Sequence, residues 1–223
     1  MGFLTPLVLC AVFLLIAYGL MRLALFASSL AARRRILQAG RLSSDAICAL
    51  LVSHFGGFAV ISSKAFPCRT PNGPSYTKID CVLILRRGIA VVEIIPFGGT
   101  IYNGDAERWY RVTESGRQEF PNPLRQSKKH VAALTALLER EKIDFAPELT
   151  SLVIMPSSRT TFVQGQQNGI YALPDALRML RKMNTGKGLS LLERIRLRRA
   201  FGKYAKRPRQ PAATNSAKRR RMP

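Results

Sequence analysis

The sequence predicts a domain of the α/β or α+β class, because helical and strand patterns alternate along its central part. Apolar residues recur at helical spacing in residues 47–55. Two almost wholly apolar runs follow at residues 79–85 and 89–95, and their length fits buried strands. An order of helix, antiparallel sheet and then further helices with one more strand fits either class.

A helix and a strand are predicted to open the domain. The Ser-Ser-Asp sequence at residues 43–45 is a favoured helix start, and Gly56 ends the helical pattern. A short β-rich run at residues 58–61 predicts a strand. Three prolines and a glycine within residues 67–75 predict a loop before the two apolar runs.

The two apolar runs are predicted to pair as a hairpin of buried strands, since only Arg86, Arg87 and Gly88 separate them. Turn residues then divide the chain into shorter elements. These are predicted as strands at residues 100–103, 108–112, 118–120 and 152–155, and as helices from residue 122 to about 142, at 174–183 and at 189–204.

The charge balance predicts a polyanionic partner. The chain has 223 residues with 35 Lys and Arg against 13 Asp and Glu, a net charge of +22. That excess is larger than solubility requires of a small domain. Nucleic acid and the anionic leaflet of a membrane are both suitable polyanions, and charge alone does not choose between them.

The N-terminal stretch is predicted to cross a membrane. Residues 3–21 contain no charged side chain and are about long enough to span the hydrocarbon core of a bilayer. Cations flank this stretch on its C-terminal side only, at Arg22 and at residues 33–35. The positive-inside rule then places the N-terminus outside and everything after the cations in the cytoplasm. The expected location is the inner (cytoplasmic) membrane, crossed once by an anchor at residues 1–32.

A cleaved secretory signal is the alternative interpretation of this stretch. Such a signal needs a basic region before the apolar run and small residues after it. Small residues are present at Ala27, Ser28 and Ala31, but no basic side chain precedes the run. The three arginines that follow would oppose translocation, so the pattern favours an anchor.

The rest of the chain is predicted to divide into four parts. A basic juxtamembrane linker at residues 33–42 leads into a globular domain at residues 43–185. A basic helix follows at residues 186–205. Residues 206–223 are rich in Pro, Ala, Lys and Arg with almost no large apolar side chains, so we expect a disordered basic tail.

Two acidic residues within the apolar hairpin are the candidate site. Asp80 lies at the start of the first run, and Glu93 lies near the end of the second. Carboxylates on neighbouring strands can meet at one end of a sheet, where they would offer oxygen ligands to Mg²⁺. The alternative is a pair of acids satisfied by backbone donors or arginine, and spacing alone leaves both interpretations open.

The cysteines and histidines predict no site of their own. None of the four cysteines has the short spacing of a zinc site or redox dithiol, so we expect reduced thiols. His54 and His130 are isolated in the sequence. Each is expected at a helix surface or a helix end.

Five segments keep a fixed order and spacing: KID at 78–80, GIAVVE at 88–93, GGTI at 98–101, Trp109, and NPLRQ at 122–126. Together they resemble the nuclease-related domain family, NERD, over about residues 43–156. That family looks like a branch of the PD-(D/E)XK nuclease superfamily. The resemblance implies a restriction-endonuclease-like fold, in which a mixed sheet is flanked by helices.

The resemblance also implies a Mg²⁺ site that hydrolyses phosphodiesters. Its matching residues are Asp45 on the first helix, Asp80, and Glu93, with Asp80 and Glu93 as metal ligands and Gln126 as a positioning residue. The ion would stabilise phosphoryl charge and acidify the attacking water. The sequence departs from the family at Ile95, where the family has the lysine of a Glu-x-Lys motif. Asp45 also stands where the family usually has glutamate.

Three hypotheses for function follow. The first is a membrane-anchored protein that binds nucleic acid through a degenerate nuclease-like site and a basic surface, with weak or no cleavage. The second is an active Mg²⁺-dependent nuclease in which Lys78, Lys128 or Lys129 replaces the missing lysine. The third is a non-catalytic membrane scaffold or interaction protein that uses its basic tail on anionic lipid.

Overall fold

Within the residues that the structure describes, the domain contains four helices and nine strands in mixed order. A computed structural model describes residues 16, 18, 19, 43–70, 73–113, 116–156, 160–165 and 167–205. The helices are α1 (Ser44–Phe55), α2 (Pro123–Arg140), α3 (Leu173–Met183) and α4 (Leu191–Tyr204). The strands are β1 (Val60–Thr70), β2 (Gly73–Leu85), β3 (Gly88–Ile94), β4 (Gly99–Tyr102), β5 (Arg108–Thr113), β6 (Gly116–Pro121), β7 (Glu148–Met155), β8 (Thr160–Phe162) and β9 (Ile170–Ala172).

The strands form two sheets, and both are mixed. Sheet A has the order β1-β2-β3-β7-β9, with β1, β2 and β3 antiparallel and with β7 and β9 parallel to their neighbours. Sheet B has the order β6-β5-β4-β8, in which β4 and β8 are parallel. The structure is therefore mixed α+β, as the sequence predicts.

Helices cover both faces of sheet A. On one face, α1 and α3 pack their apolar stripes against alternate residues of β2 and β3, such as Leu83 and Val92. On the other face, α2 and α4 pack against the remaining residues, such as Val82 and Val91. All seven residues of β3 are buried, because each of its two faces lies under a helix layer.

The predicted hairpin of β2 and β3 forms, and a glycine is required at its turn. Leu85 pairs with Gly88 across Arg86 and Arg87. Gly88 has φ +146°, and a Cβ atom there would lie 2.2 Å from the carbonyl oxygen of Glu148. The missing side chain therefore lets β7 approach β3 closely at this end of the sheet.

Apolar side chains form one cluster on each face of sheet A. Sheet B packs against the end of sheet A through a third apolar cluster. Ile101, Trp109 and Phe120 of sheet B contact Val153 and Met155 of β7 in this cluster. Trp109 is fully buried, and its indole Nε1–H donates to the carbonyl oxygen of Asp105 at 3.1 Å. The predicted meander thus folds back over the end of β3 and β7.

One local prediction is wrong, and two short strands were missed. Residues 67–75 are not wholly a loop: β1 and β2 extend into an antiparallel ribbon in which Pro67 pairs with Tyr76. β1 is an edge strand of sheet A, where a proline is tolerated because its missing N–H is not needed by a second neighbour. The short strands β8 and β9 were not predicted, since three residues carry too little pattern to identify.

The predicted anchor at residues 1–32 lies outside the described residues except for Ile16, Tyr18 and Gly19, and the linker at 33–42 and the tail at 206–223 lie wholly outside them. Within the described part of the chain, no helix is long and apolar enough to span a bilayer.

Candidate active site

Asp80 and Glu93 lie together on the face of sheet A that packs against α2. The β2–β3 register pairs Cys81 with Val92, and one further step places Asp80 opposite Glu93. Residues opposite each other in an antiparallel pair share a face of the sheet. Asp80 Oδ2 accepts the backbone N–H of Ile94 at 3.0 Å, which holds its carboxylate against β3.

The pairing of β1 with β2 is interrupted at the level of Asp80. Ser62 pairs with Cys81 and Lys64 pairs with Ile79, but Ser63 between them has a left-handed backbone with φ 49°. Such a local irregularity in a ladder re-aims the neighbouring side chains, and it is common next to functional sites.

His130 of α2 completes the buried part of the site. Its Nδ1 atom lies 3.2 Å from Glu93 Oε2, and the two side chains are 1% and 8% exposed. The distance suits a hydrogen bond, but neither atom makes a well-aligned one to any group in the described part of the chain. Glu93 thus presents a buried oxygen with spare capacity to bind a ligand.

The sequence predicts His130 at a helix surface or a helix end, and this prediction is wrong. It lies within the buried stripe of α2, together with Ser127, Leu134 and Leu137. Spacings of three and four residues put all of these on one helix face. That periodicity could have predicted that His130 is buried. A histidine within an apolar stripe does not by itself indicate a carboxylate partner.

The two carboxyl groups are held in a setting that disfavours their charge. Burial raises the pKa of Asp80 above its ordinary value, and the N–H of Ile94 and the ammonium of Lys78 only partly offset this. Burial also raises the pKa of Glu93, the contact with His130 lowers it, and the charge of Asp80 raises it further. The pair therefore lacks a full positive counterpart.

Lys78 is the cation beside this pair. Its Nζ atom lies 3.9 Å from Asp80 Oδ1, and its side chain is 54% exposed. The other two candidate lysines, Lys128 and Lys129, are exposed on α2. Of the three, the structure brings Lys78 to the carboxylates.

Ile95 belongs to the apolar cluster under sheet B. It is 8% exposed and packs with Ile101, Trp109 and Phe120. Its N–H donates to the carbonyl oxygen of Ile154 at 3.0 Å, which continues the ladder beyond β3. The position at which the resemblance implies a lysine is thus part of the core.

Asp45 and Gln126 lie at the margin of the site. Asp45 is exposed in the first turn of α1, near enough for its charge to raise the pKa of Asp80. Among the described residues, no three His, Cys, Asp or Glu side chains converge as a metal-binding group. Gln126 is half-buried one helical turn before His130. The candidate ligand set is therefore the pair Asp80 and Glu93.

The first turn of α2 is fixed by its cap. The side chain of Asn122 accepts the backbone N–H groups of Leu124 and Arg125 at 3.0 and 3.3 Å. Its own Nδ2 donates to the carbonyl oxygen of Ala106 at 3.1 Å. These contacts fix the helix that carries Gln126 and His130 against the β4–β5 connection.

The raised pKa of Asp80 predicts that Asp80→Asn increases stability at neutral pH in metal-free buffer. Below the ordinary carboxyl pKa of about 3.9, folded and unfolded chains are both protonated and the two proteins should match. As pH rises, the unfolded chain ionises first at residue 80, so the wild type loses stability there until the folded pKa of Asp80 is passed, whereas Asp80→Asn does not. Glu93 is present in both proteins, and its raised pKa affects both. Urea unfolding at a series of pH values measures this difference.

Asp175→Asn is the matched control for that measurement, since Asp175 is an exposed aspartate on α3 with 53% of its side chain accessible. Its substitution should lower stability by at most about 1 kcal/mol at neutral pH, because it removes one exposed ion pair and one charge from the first turn of α3. A wild type that is more stable than Asp80→Asn at neutral pH would contradict the electrostatic description of the site.

Comparison with known proteins identifies the family of this chain. The model of the nuclease-related domain family, NERD, matches residues 39–156, which is just over half of the chain. An uncharacterized protein of Bacillus anthracis is 35% identical over 66 residues, which span 29% of this chain and only 31% of that relative. No solved structure matches the chain. The family match extends from before α1 to the end of β7 and contains Asp80, Glu93 and Ile95. Because the match covers more than half of the chain, the protein belongs to the nuclease-related domain family.

Proposed function

We propose that this protein binds nucleic acid at a nuclease-like site that cleaves weakly or not at all. The observation that carries the proposal is the burial of Ile95 among Trp109 and Phe120, at the position of the family's lysine. A lysine placed there would orient the attacking water and contact the phosphate, as the family resemblance implies. An isoleucine in a packed cluster does neither.

The residues at the site fit a divalent cation. Mg²⁺ is commonly held by one or two carboxylates and keeps several waters, so a pair is sufficient. Glu93 Oε2 is buried without a well-aligned partner in the described chain, and the pKa values of both carboxyl groups are raised. Asp80 and Glu93 would hold the ion, while His130 orients Glu93. Bound Mg²⁺ would supply positive charge for phosphoryl oxygens and lower the pKa of a water.

The fold supports the same proposal. Sheet A is mixed, and helices flank it on both faces, which is the restriction-endonuclease-like arrangement that the family resemblance implies. In this arrangement β2 and β3 carry the two acids, and α2 carries Gln126 one helical turn before His130.

The basic surface supports binding to phosphates without sequence preference. α4 exposes Arg196, Arg199 and Lys203 along one side. Arg196 pairs with Asp144 at 2.9 Å and Lys203 with Glu141 at 3.0 Å. Exposed pairs of this kind contribute little stability, so their cations can exchange to phosphates. Affinity should then fall steeply as salt is added.

A second candidate function is active hydrolysis with Lys78 in the role of the missing lysine. The supporting observation is the 3.9 Å distance between Lys78 Nζ and Asp80 Oδ1. Lys78 is two residues before Asp80 on β2, so it reaches the carboxylates from the strand and not from the core. Its exposure leaves it flexible, and catalysis needs closer placement.

A cleavage assay with the full chain in detergent separates these two candidates. Labelled single-stranded and duplex DNA and RNA would be incubated with Mg²⁺ or Mn²⁺, using wild type, Asp80→Ala, Lys78→Met and Lys129→Met. The first candidate predicts binding with little or no cleavage above the Asp80→Ala background. Lys129→Met is the matched control, because that lysine is exposed on α2.

Rapid cleavage that Asp80→Ala abolishes would contradict the first candidate. If Lys78→Met then reduced the rate about 100-fold or more while Lys129→Met did not, the second candidate would replace it. Absence of nucleic-acid binding at low salt would contradict both.

We propose that the protein is held at the inner membrane by a single pass near its N-terminus, with the domain in the cytoplasm. The uncharged residues 3–21 and the cations after them support this. The domain also has a surface suited to anionic lipid. Leu191 and Leu192 are 59% and 73% exposed at the start of α4. A cavity of about 520 Å³ beside them is lined by cations that include Lys187 and Arg194.

Washing of membranes from expressing cells tests this location. A membrane-spanning anchor predicts that the full chain stays with the membrane in alkaline carbonate, and that protease removes the domain only in inside-out vesicles. Release of the chain by carbonate, or digestion in right-side-out vesicles, would contradict the proposal.

A further inference from the structure

The outer face of sheet B carries an aromatic pair that the core does not use. The inner face of the sheet holds Ile101, Trp109 and Phe120 in the third cluster. Side chains alternate along a strand, so Tyr102 and Tyr110 project from the opposite face. This outer face is accessible to solvent, with Val112 54% exposed.

The two tyrosines and one arginine form a continuous stack. Tyr102 and Tyr110 are direct cross-strand partners, and their rings lie 4.5 Å apart with only 5° between their planes. The guanidinium of Arg117 lies 3.7 Å from the centroid of the Tyr110 ring. We call the row formed by Tyr102, Tyr110 and Arg117 the outer stack.

Positive charge lies beside the outer stack. Arg108 and Arg117 both contact the carboxylate of Glu119, at 3.6 and 2.8 Å. The two arginine side chains are 66% and 58% exposed, so these ion pairs are weak and solvated. Two guanidinium groups against one carboxylate leave a net positive charge that faces solvent next to the rings.

Cross-strand stabilisation does not fully account for this arrangement. An aromatic cross-strand pair adds only modestly to the stability of a sheet. Sheet B is already fixed by the burial of Trp109 and Phe120 on its other face. Planar groups stacked on an exposed sheet, with arginines beside them, match the chemistry that binds unpaired bases.

The outer stack is rigidly connected to the carboxylate site. The N–H of Asn122 donates to the carbonyl oxygen of Glu107 at 2.9 Å, and Arg125 forms an ion pair with Glu107. Glu107 directly precedes β5, whereas Asn122 caps the helix that carries His130. A ligand on sheet B is therefore bound to the same folded unit that carries Asp80 and Glu93.

We propose that the outer stack binds unpaired bases of a single-stranded nucleic acid, while Arg108 and Arg117 contact its phosphates. This inference rests on the nucleic-acid binding proposed above and names the strand type. Unpaired bases extend the stack beyond the half-buried Tyr102 and the exposed Arg117. Bases within a duplex have both faces covered by their neighbours, so a duplex gains only the phosphate contacts.

Fluorescence anisotropy with the full chain in detergent tests the proposal. The probes are a labelled oligothymidylate and a labelled duplex of the same length, without divalent ions. Tyr102→Ala should weaken single-strand binding about 5- to 100-fold, because one stacked base contributes about 1–3 kcal/mol. Tyr110→Ala should weaken it by a similar factor, because the Tyr110 ring holds both Tyr102 and Arg117 in the stack. Duplex binding should stay within about twofold of the wild type.

Two controls separate stacking from stability. Tyr110→Phe keeps the aromatic face and should keep single-strand affinity, whereas Tyr110→Ala should not. Tyr76→Ala removes a tyrosine that is 51% exposed on β2, outside sheet B, and should leave both affinities unchanged.

Equal loss of single-strand and duplex affinity in Tyr102→Ala and Tyr110→Ala would overturn the proposal, as would no loss of either. Both of these results leave the proposed nucleic-acid binding intact, because the wild type still binds. A wild type that binds neither probe at low salt would instead overturn the proposed function together with this inference.

Discussion

The register of β2 with β3 is the constraint on which the rest of the site depends. It pairs Cys81 with Val92 and so brings Asp80 opposite Glu93 on one face of sheet A. A shift by one residue would move every side chain of a strand to the other face and would bury the apolar residues of β3 against the wrong helices. The same apolar packing that forms the core therefore brings two carboxylates together.

Burial gives this pair a cost in stability, and in our proposal it also makes the pair suited to a divalent ion. The carboxylates are raised in pKa because they are taken out of water, and His130 and Lys78 offset this only in part. A bound divalent cation would remove that penalty. A site that lowers the stability of the protein when it is empty can therefore still serve a function. Ile95 shows the limit of the analogy with a nuclease. It is a structural residue of the third cluster, and no cation of the described chain takes its place within the core.

Sequence reasoning found the parts of the structure that strong local patterns encode. The runs containing Asp80 and Glu93 are almost wholly apolar, so their strands and the turn at Gly88 were evident. His130 was missed because its partner is 37 positions away, and only the packing of α2 on β3 brings them together. The Pro67–Tyr76 pairing was missed because proline usually marks a loop, and the edge position that permits it is a property of the whole sheet. Resemblance alone grouped Asp45 with the two strand acids, and the structure leaves its side chain exposed on α1.

Calorimetric titration of the full chain with Mn²⁺ tests the central claim most directly, namely that Asp80 and Glu93 together can hold a divalent ion. The account predicts one saturable site in the wild type, and its loss in Asp80→Asn and in Glu93→Gln. Asp45→Asn, which removes an exposed acid at the margin, should retain the site with an affinity change below about tenfold. Binding that survives both Asp80→Asn and Glu93→Gln, or its absence from a folded wild type, would contradict the account.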